Sequence, residues 1–557
     1  MKRDLSERAF AAWGVLCAAG YLVIQVLYLQ RLPLVTDEFD GAFDVYRLRS
    51  QIPYVDFAPY KTVAGYYLQL PGLLLGNDVW HGIFLVKYQL AVLNSALILL
   101  AAWLARPLFS RLSLALALPC WLLMSNWLER SSDLRVDLLT TWPAFFSLLV
   151  LLRGGSAVLA GGLAALSFLV SQKGIYFVLA SGPALAAALW LREDRKAALR
   201  DALRFALACA LPVVAYFAFF ALLSTAAATT KVMFLSHGSI ALEQIYPNIR
   251  KFWRASLEQN PGAYALAALG LLALATRVGR DLRLTQLFAY GATLTALVIW
   301  HKQPWPYFFV LIGPTMFLLC ASAFEIIGRG DSPKPIMALR WAVLAVPLAL
   351  ALITPIKRMP VILAESHAYQ RHMIEIASAL VEGGEPYLAA MDLLYDRVQS
   401  PKALRRLSIG TRRAIEKYPR ETIDRIAREL ESNPPKVLVR NERFNGMPAR
   451  VRRYLQENYA HFWGNLELPA PRIIPGRPVR LPFDGRYRLA LEGEGATVKL
   501  AERELADGDI VELAKGSYTL ESTVRGRLYW LPPDAIASKL DERFKRPGEL
   551  IGAAYNR

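Results

Sequence analysis

Long apolar runs separated by short polar loops fill the first part of the chain, up to about Pro355. Each run covers roughly 16–24 residues, which is enough for a helix to cross a hydrocarbon core about 30 Å thick. The fold class that this pattern predicts is therefore a polytopic α-helical membrane protein. Its eleven predicted membrane helices lie at residues 9–29, 82–104, 108–127, 137–152, 156–171, 174–191, 204–224, 262–276, 284–300, 306–324 and 340–356.

A shorter apolar segment lies in the first outer loop, which spans residues 30–81. Residues 62–76 are apolar, but Pro71 and Gly72 interrupt them and the segment is too short to cross the membrane. It is predicted to lie in the interface as a helix. The first apolar run, in contrast, is too long for a signal peptide, and no small-residue cleavage site closes it. That run is predicted to stay as a membrane helix.

The pattern changes after Lys357, where the long apolar runs stop. Residues 361–432 have the periodicity of helices, and a short strand at 436–440 and a helix at about 449–458 follow. From Pro471 onward apolar and polar residues alternate between glycine-containing turns, which indicates β structure. The predicted domains are a membrane domain at 1–356, an extracytoplasmic helical and αβ region at 357–470 and a β-rich, sandwich-like module at 471–557.

The chain carries a net charge of +18, which in a soluble protein would suggest a nucleic-acid partner. Here the basic residues fall in alternate short loops, and such loops face the cytoplasm. The N-terminus is then cytoplasmic, the C-terminal domain is periplasmic or extracellular, and the protein is expected in the bacterial inner membrane without nucleic acid. The loop residues are Lys2, Arg3, Arg8, Arg106, Arg111, Arg153, Arg192, Arg195, Lys196, Arg200, Arg277, Arg280, Arg283, Arg329, Lys334 and Arg340.

An acidic cluster directly follows the first membrane helix. If a helix starts at this point, Thr36 is a candidate N-cap, and Asp37 and Glu38 fall in the first turn. Acids in this place are suited to take a proton from a hydroxyl at the membrane surface. Alternatively, they only stabilise the start of a helix. For Asp40 and Asp44, a solvated helix face is the expected role.

Basic residues accompany aromatic and acidic residues in the other outer loops. Lys61 precedes the interfacial segment, Arg135 and Asp137 open the fourth membrane helix, and Lys173 lies in a turn so short that it must stay close to the bilayer. Positive groups at headgroup level can hold a phosphate. Lysine snorkelling and ion pairing within a loop are the structural alternatives. Further polar residues on this side are Tyr60, His237, His301, Lys302 and Tyr307.

Carboxylates and cations are thus predicted to share one pocket on the outer side. Carboxylates can deprotonate an acceptor, and cations can stabilise a departing phosphate. This combination fits glycosyl transfer from a lipid phosphate. Whether the acids also hold a divalent cation stays open, because their spacing matches no specific metal motif. The four cysteines indicate no metal site because all lie in apolar runs: Cys17, Cys120, Cys209 and Cys320.

Short motifs along residues 30–310 resemble the GT-C superfamily of membrane glycosyltransferases, in particular its aminoarabinose-transferase and protein-mannosyltransferase-like branch. The aminoarabinose pattern has an acid directly before the lysine, whereas this chain has Tyr60 at that position. It also has Thr62-Val63 in place of a Pro-Pro pair. The features that carry the resemblance are Asp37-Glu38, the stretch from Lys61 to Tyr67, Asp137, Ser171-Gln172-Lys173-Gly174 and Pro306-Tyr307.

The resemblance implies an inverting hexosyl- or pentosyltransferase that uses a polyprenyl-phosphate sugar outside the cytoplasm, with Asp37 as base and Lys61 on the lipid phosphate. No cofactor besides this donor substrate is implied with certainty. The expected partners are membrane lipids and an extracytoplasmic glycan, glycolipid or protein acceptor. The remaining candidates are Glu38 and Asp137 as catalytic residues, Arg135, Lys173 and Lys302 as phosphate ligands, and Tyr60, His237 and Tyr307 as acceptor or sugar contacts.

Two other classes of function compete with this prediction. A transporter or flippase of lipid-linked sugars would need broken helices and polar groups at mid-membrane, and the chain shows few. A non-catalytic glycan-binding assembly factor would rely on the β-rich module. That module looks like a carbohydrate-binding sandwich by pattern, although a packing role explains it equally well.

Overall fold

The computed structural model describes residues 4–225, 229–230, 250–302, 304–328, 334–382, 384–407, 420–493 and 495–552. The helices are α1 (Glu7–Leu29), α2 (Thr36–Arg47), α3 (Ala64–Leu75), α4 (Val79–Ala105), α5 (Arg111–Leu122), α6 (Ser125–Arg130), α7 (Val136–Leu152), α8 (Ala157–Val170), α9 (Ile175–Leu191), α10 (Arg195–Leu223), α11 (Arg250–Gln259), α12 (Pro261–Ala275), α13 (Leu282–Trp300), α14 (Gly313–Ser322), α15 (Lys334–Leu363), α16 (Ala368–Leu380), α17 (Arg420–Ser432), α18 (Ala449–Asn458) and α19 (Asp534–Ala537).

The strands all lie in the C-terminal part of the described chain. They are β1 (Pro386–Leu388), β2 (Val398–Gln399), β3 (Val437–Val439), β4 (Tyr459–Trp463), β5 (Leu466–Pro469), β6 (Arg472–Ile473), β7 (Val479–Leu481), β8 (Gly485–Leu491), β9 (Thr497–Leu500), β10 (Arg503–Ala506), β11 (Ile510–Leu513), β12 (Gly516–Tyr518), β13 (Leu520–Glu521) and β14 (Gly526–Trp530).

Apolar helices make up the N-terminal region, as predicted. Among the described residues seven helices are long and apolar enough to cross a membrane, and four shorter apolar helices accompany them. Each of the predicted spans coincides with one of these helices. How many of them cross the bilayer stays a prediction. The long ones are Glu7–Leu29, Val79–Ala105, Gln172–Leu191, Arg195–Leu223, Leu282–Trp300, Pro306–Ile327 and Ala338–Leu363; the short ones are Arg111–Leu122, Val136–Leu152, Ala157–Val170 and Pro261–Ala275.

Two of the boundaries that differ from those predicted have a clear local reason. Helix α10 begins well before residue 204 because Asp194 caps it, with its carboxylate accepting a hydrogen bond from the Ala197 amide at 2.8 Å. The predicted span at 108–127 is broken after Leu122. There Met124 adopts an extended backbone, and the short helix α6 starts afresh. Charged residues at a helix end and single extended residues are invisible to a hydropathy pattern.

Residues 30–81, the predicted first outer loop, contain two short helices, α2 and α3. Helix α3 has 12 residues, so it is only about 18 Å long and too short to span a bilayer. Gly65 permits its close approach to α7, because a Cβ there would lie 2.7 Å from Cγ1 of Val136. This contact brings the outer loop against the start of α7, where the candidate site lies.

The C-terminal region begins with a mixed five-stranded sheet in the order β2-β1-β3-β5-β4. Strands β1 and β3 are parallel, with Tyr387 opposite Val437, whereas β3 and β5 are antiparallel. The prediction that residues 361–432 are helical is wrong at β1 and β2. Strand β1 is buried along its whole length, and periodicity alone cannot distinguish such a short buried strand from a buried helix segment.

The β structure predicted from Pro471 onward is confirmed. Strands β6 to β14 form a four-stranded, a three-stranded and a two-stranded sheet. Tyr487, Leu489 and Leu528 are buried among them, on the inward positions of alternating strands. The turn at Asp507-Gly508 separates β10 from β11, and Gly508 has a φ of +89°, which favours glycine.

The outer loop and the C-terminal region share one hydrophobic core. Phe39 and Val45 of α2 are buried in the same cluster as Met373 and Tyr387. Gln370 of α16 adds polar contacts, since its side chain accepts a hydrogen bond from the Leu34 amide at 2.7 Å and donates to the Leu34 carbonyl at 2.9 Å. Helix α2 is therefore held between the apolar helices and the C-terminal region.

Candidate active site

Helix α2 presents Asp37 toward open space at its first turn. The helix begins at Thr36 with Val35 in the N-cap position, so the prediction of Thr36 as the cap is wrong. The Asp37 side chain is 46% exposed and forms an ion pair with Arg135. Desolvation raises the pKa of Asp37, but the Arg135 guanidinium, together with the charges of Arg443 and Lys61, outweighs this effect and holds the pKa below its ordinary value. Asp37 is thus ionised and accessible.

Glu38, in contrast, is fully buried. Its carboxylate accepts hydrogen bonds from the amides of Val35 at 3.0 Å and Leu134 at 3.2 Å, and it pairs with Lys87 of α4. Asp133 lies on the other side of the same ammonium, at 3.4 Å. These contacts turn Glu38 away from the open side of α2. The side chain ties the start of α2 to α4 and to the loop before α7.

Asp137 is the centre of a buried group of charges. Its Oδ1 lies 2.7 Å from Nζ of Lys61 and 2.8 Å from Nζ of Lys173, and its Oδ2 lies 3.0 Å from Nε of Arg135. The side chain of Asp137 is 2% exposed, whereas that of Lys173 is 19% exposed. We call these four residues the Asp137 cluster. Three cations surround one carboxylate here, so the cluster carries excess positive charge.

Local structure helps to position Arg135, Asp137 and Lys173 within the Asp137 cluster. Arg135 is the N-cap residue of α7, and Asp137 lies in its first turn, where a carboxylate is favoured by the helix dipole. The turn that carries Lys173 packs tightly on the end of α8. Gly174 permits this, because a Cβ there would clash with the backbone of Phe168.

The segment before α3 is anchored residue by residue. The Thr62 hydroxyl donates to the Phe168 carbonyl at 3.1 Å, and the Val63 amide donates to the Tyr216 hydroxyl at 3.1 Å. The second bond needs a backbone N–H, which proline lacks. Thr62-Val63, the departure from the aminoarabinose pattern, therefore makes contacts of its own and fixes Lys61 beside α7.

Aromatic rings close one side of the cluster. The Arg135 guanidinium lies 3.2 Å from the ring centroid of Tyr307, and Nζ of Lys173 lies 4.6 Å from the same centroid. Tyr307 belongs to the 3-10 helix Pro306–Ile312, which precedes α14. Stacking on an aromatic face orients a guanidinium and an ammonium without neutralising them. The positive charge of the cluster is thus held in fixed directions.

The described residues do not include a group of three or more His, Cys, Asp or Glu side chains placed to hold a metal ion. Asp37 faces Arg135, and Asp137 faces three cations, so each acid already has a positive partner. A divalent cation at these acids stays a prediction.

The overall fold resembles those of two proteins of known structure. Crystal structures of ArnT from Cupriavidus metallidurans match with TM-scores of 0.57 for the form bound to undecaprenyl phosphate and 0.55 for the apo form, each at 13% identity, covering 81% of this chain and 96% of that chain. The oligosaccharyltransferase AglB from Archaeoglobus fulgidus, in complex with an inhibitory peptide and a dolichol-phosphate, matches with a TM-score of 0.52 at 10% identity, covering 76% and 69%. The chain shares the overall fold of ArnT and AglB.

The resemblance predicted from short motifs is thereby confirmed at the level of the fold. Sequence comparison alone does not detect it: no protein-family model matches the chain, and no curated protein matches it. At 10–13% identity, what is shared is the fold over 76–81% of this chain.

Within this fold, most of the predicted site residues come together. Asp37, Lys61, Arg135, Asp137 and Lys173 form one connected set of ion pairs, and Tyr307 packs on it. These residues come from α2, the segment before α3, the start of α7, the turn after α8 and the 3-10 helix before α14. Their roles in catalysis or binding stay predictions.

The remaining predicted residues have surroundings of their own. Lys302 is exposed, and among the described residues no contact joins it to the cluster. The ring of Tyr60 is half exposed, while its amide donates to Asp44 at 3.0 Å. His301 stacks on Phe308, with 4.0 Å between ring centroids. His237 lies outside the described residues.

The structure also places residues that the sequence pattern missed. Lys87 is buried in α4 beside Glu38, and a charged residue within an apolar run was the signal for it. The expectation that Asp44 lies on a solvated face is wrong, because its side chain is 1% exposed and pairs with Arg406. Asp40 is partly buried and also faces Arg406. Nothing in the sequence near Arg406 indicated this contact.

Proposed function

We propose that this protein is an inverting glycosyltransferase that moves a sugar from a polyprenyl-phosphate donor to an extracytoplasmic acceptor. One observation supports this most directly. An accessible, ionised carboxylate, Asp37, lies within one ion pair of a cluster that has an excess of positive charge. A base and an anion site side by side are what a displacement at a sugar phosphate requires.

In the proposed reaction, the acceptor hydroxyl attacks the anomeric carbon of the donor sugar and gives its proton to the Asp37 carboxylate. The bond between the anomeric carbon and the phosphate oxygen breaks, and the phosphate leaves with the electron pair. A single displacement of this kind inverts the configuration at the anomeric carbon. Lys61, Lys173 and Arg135 stabilise the negative charge that develops on the departing phosphate.

The lipid nature of the donor rests on two supports. The ArnT structure is bound to undecaprenyl phosphate, and the AglB structure contains a dolichol-phosphate. The apolar helices would let the polyprenyl chain lie in the bilayer while its phosphate reaches the Asp137 cluster. We place the site on the periplasmic side of the inner membrane, with the N-terminus in the cytoplasm, on the basis of the loop charges.

For two acids we propose a role other than the predicted catalytic one. Asp137 contacts three cations and is 2% exposed, so it is better suited to hold Lys61 and Lys173 in place than to accept a proton. Glu38 is fully buried against Lys87 and ties α2 to α4. In this proposal Asp37 alone is the base, and the other two acids maintain the geometry around it.

Mass spectrometry of envelope glycans, glycolipids and glycoproteins, with and without the protein, tests the proposal. We expect one sugar residue to disappear from one class of acceptor and to return with the intact protein but not with an Asp37→Asn variant. If cells without the protein instead accumulate a complete lipid-linked sugar on the inner leaflet, the protein is a flippase. Full rescue by the Asp37→Asn variant would favour a non-catalytic assembly factor.

Replacing Lys61 by methionine should weaken binding of undecaprenyl phosphate about tenfold or more, because a charge-assisted contact to the phosphate is lost. Binding to the purified full chain in detergent can be followed by thermal shift or microscale thermophoresis. The affinity of the unaltered protein should also fall as ionic strength rises.

A matched control for Lys61→Met is Lys436→Met, because Lys436 pairs with Glu385 in the C-terminal region, away from the cluster. That variant should bind the lipid as the unaltered protein does. Lys302→Met tests Lys302, another predicted phosphate ligand, by the same measurement of lipid binding. Unchanged lipid binding in Lys61→Met would remove Lys61 from the proposed phosphate site.

A further inference from the structure

Asp44 lies two turns beyond Asp37 on α2, and its carboxylate is buried. Its Oδ1 lies 2.7 Å from Nη2 of Arg406 in the C-terminal region. Its Oδ2 accepts a hydrogen bond from the Tyr60 amide at 3.0 Å. One buried carboxylate therefore joins α2, the segment just before Lys61, and the C-terminal region.

Arg406 also binds the backbone of α2. Its Nη2 donates to the main-chain carbonyl of Asp40 at 2.9 Å, and its Nε binds the buried carboxylate of Asp392. That carboxylate also accepts from Gln399 at 3.0 Å and lies 3.1 Å from Nε of Arg405. The C-terminal region thus fixes the guanidinium on one side, and the guanidinium binds helix α2 on the other.

The connection continues from Asp44 to the Asp137 cluster. The Tyr60 amide that donates to Asp44 belongs to the residue directly before Lys61, whose Nζ lies 2.7 Å from Oδ1 of Asp137. A shift of this segment moves the Lys61 backbone with it. The same carboxylate therefore influences both the helix that carries Asp37 and the lysine proposed to hold the phosphate.

We propose that Asp44 and Arg406 are positioning residues, through which the C-terminal region sets the distance between the base Asp37 and the phosphate ligand Lys61. This inference rests on the proposed function. Helix α2 has only 12 residues, so its orientation depends on tertiary contacts rather than on its own stability. The Asp44–Arg406 pair supplies such a contact at the end of α2 away from the site.

The test compares Asp44→Asn, Arg406→Gln and the double variant in the full chain. Three quantities are measured: the affinity for undecaprenyl phosphate, the amount of sugar transferred to the acceptor in cells, and hydrogen exchange of residues 36–47 and 60–66. Lys436→Gln, which breaks a partly buried ion pair with Glu385 in the same region, controls for a general loss of stability.

We expect each single variant to bind undecaprenyl phosphate roughly tenfold more weakly and to transfer about 10²-fold less sugar, since small displacements of reacting groups have effects of this size. Hydrogen exchange should accelerate in both segments. The double variant should be no worse than the worse single variant, because the two residues act as one unit. Lys436→Gln should change none of these quantities.

Lipid affinity and transfer equal to those of the unaltered protein in both single variants would overturn the inference. If Arg406→Gln does not fold, Arg406→Lys replaces it. Lysine keeps a positive charge but lacks the rigid fork whose Nε binds Asp392 while its Nη2 binds Asp44, so transfer should still fall about tenfold; full transfer would again overturn the inference. A lack of lipid binding by the unaltered protein would instead overturn the proposed function.

Discussion

The substitution Asp37→Asn is expected to lower sugar transfer by about 10³-fold, the size of effect typical for loss of a general base. Asparagine keeps the shape of the side chain and an oxygen that can accept a hydrogen bond from Arg135, but it cannot take a proton from the acceptor hydroxyl. Binding of undecaprenyl phosphate should stay within about twofold, since the cations of the cluster are intact.

The measurement is sugar transfer in cells together with lipid binding by the purified protein. Asp56→Asn is the matched control in the same outer loop, because that carboxylate accepts a hydrogen bond from the Ile52 amide at 2.7 Å and lies outside the cluster. The control should transfer sugar normally. Near-normal transfer by Asp37→Asn, with the protein folded, would remove Asp37 from the role of base.

The second large effect is expected at Asp137. Asp137→Asn removes the carboxylate that lies within 3.0 Å of two ammonium groups and one guanidinium. Leaving buried charges without their partner destabilises a protein by ~3–5 kcal/mol, and the first turn of α7 also loses a favourable anion. We expect a lower thermal midpoint in detergent and loss of transfer.

A phosphate that occupies the cluster would partly replace the missing charge. Undecaprenyl phosphate should therefore raise the thermal midpoint of Asp137→Asn by more than it raises that of the unaltered protein. Asp201→Asn is the control, because Asp201 pairs with Arg192 at a partly exposed site where such pairs contribute little. Equal stabilisation of both proteins by the lipid would show that the phosphate binds elsewhere.

These two predictions separate roles that the sequence could not distinguish. Asp37, Glu38 and Asp137 are all acids at a helix start, and the pattern of residues made each a catalytic candidate. Their surroundings differ: Asp37 is 46% exposed, Glu38 is fully buried against Lys87, and Asp137 is 2% exposed among three cations. Exposure and partner charge, which decide whether a carboxylate can act as a base, depend on residues distant in the chain.

The same distinction explains which parts of the fold were predictable. Apolar runs in the N-terminal region identified the helices because each run is a local property of some twenty residues that must be buried or face lipid. The alternating pattern after Pro471 identified the strands for a similar reason. The strands at Pro386–Leu388 and Val398–Gln399 were missed, because strands of two or three residues are too short to show a period that separates them from helices.

By itself, then, the sequence identified the apolar helices, the β-rich end of the chain and a set of charged candidate residues in the predicted outer loops. The tertiary structure alone decided which of those charges meet. Lys61 and Asp137 are separated by 76 residues, and Asp44 and Arg406 by 362. Ion pairs act over a few ångströms in space, so their partners are chosen by the packing of helices and of the C-terminal region, which no local pattern records.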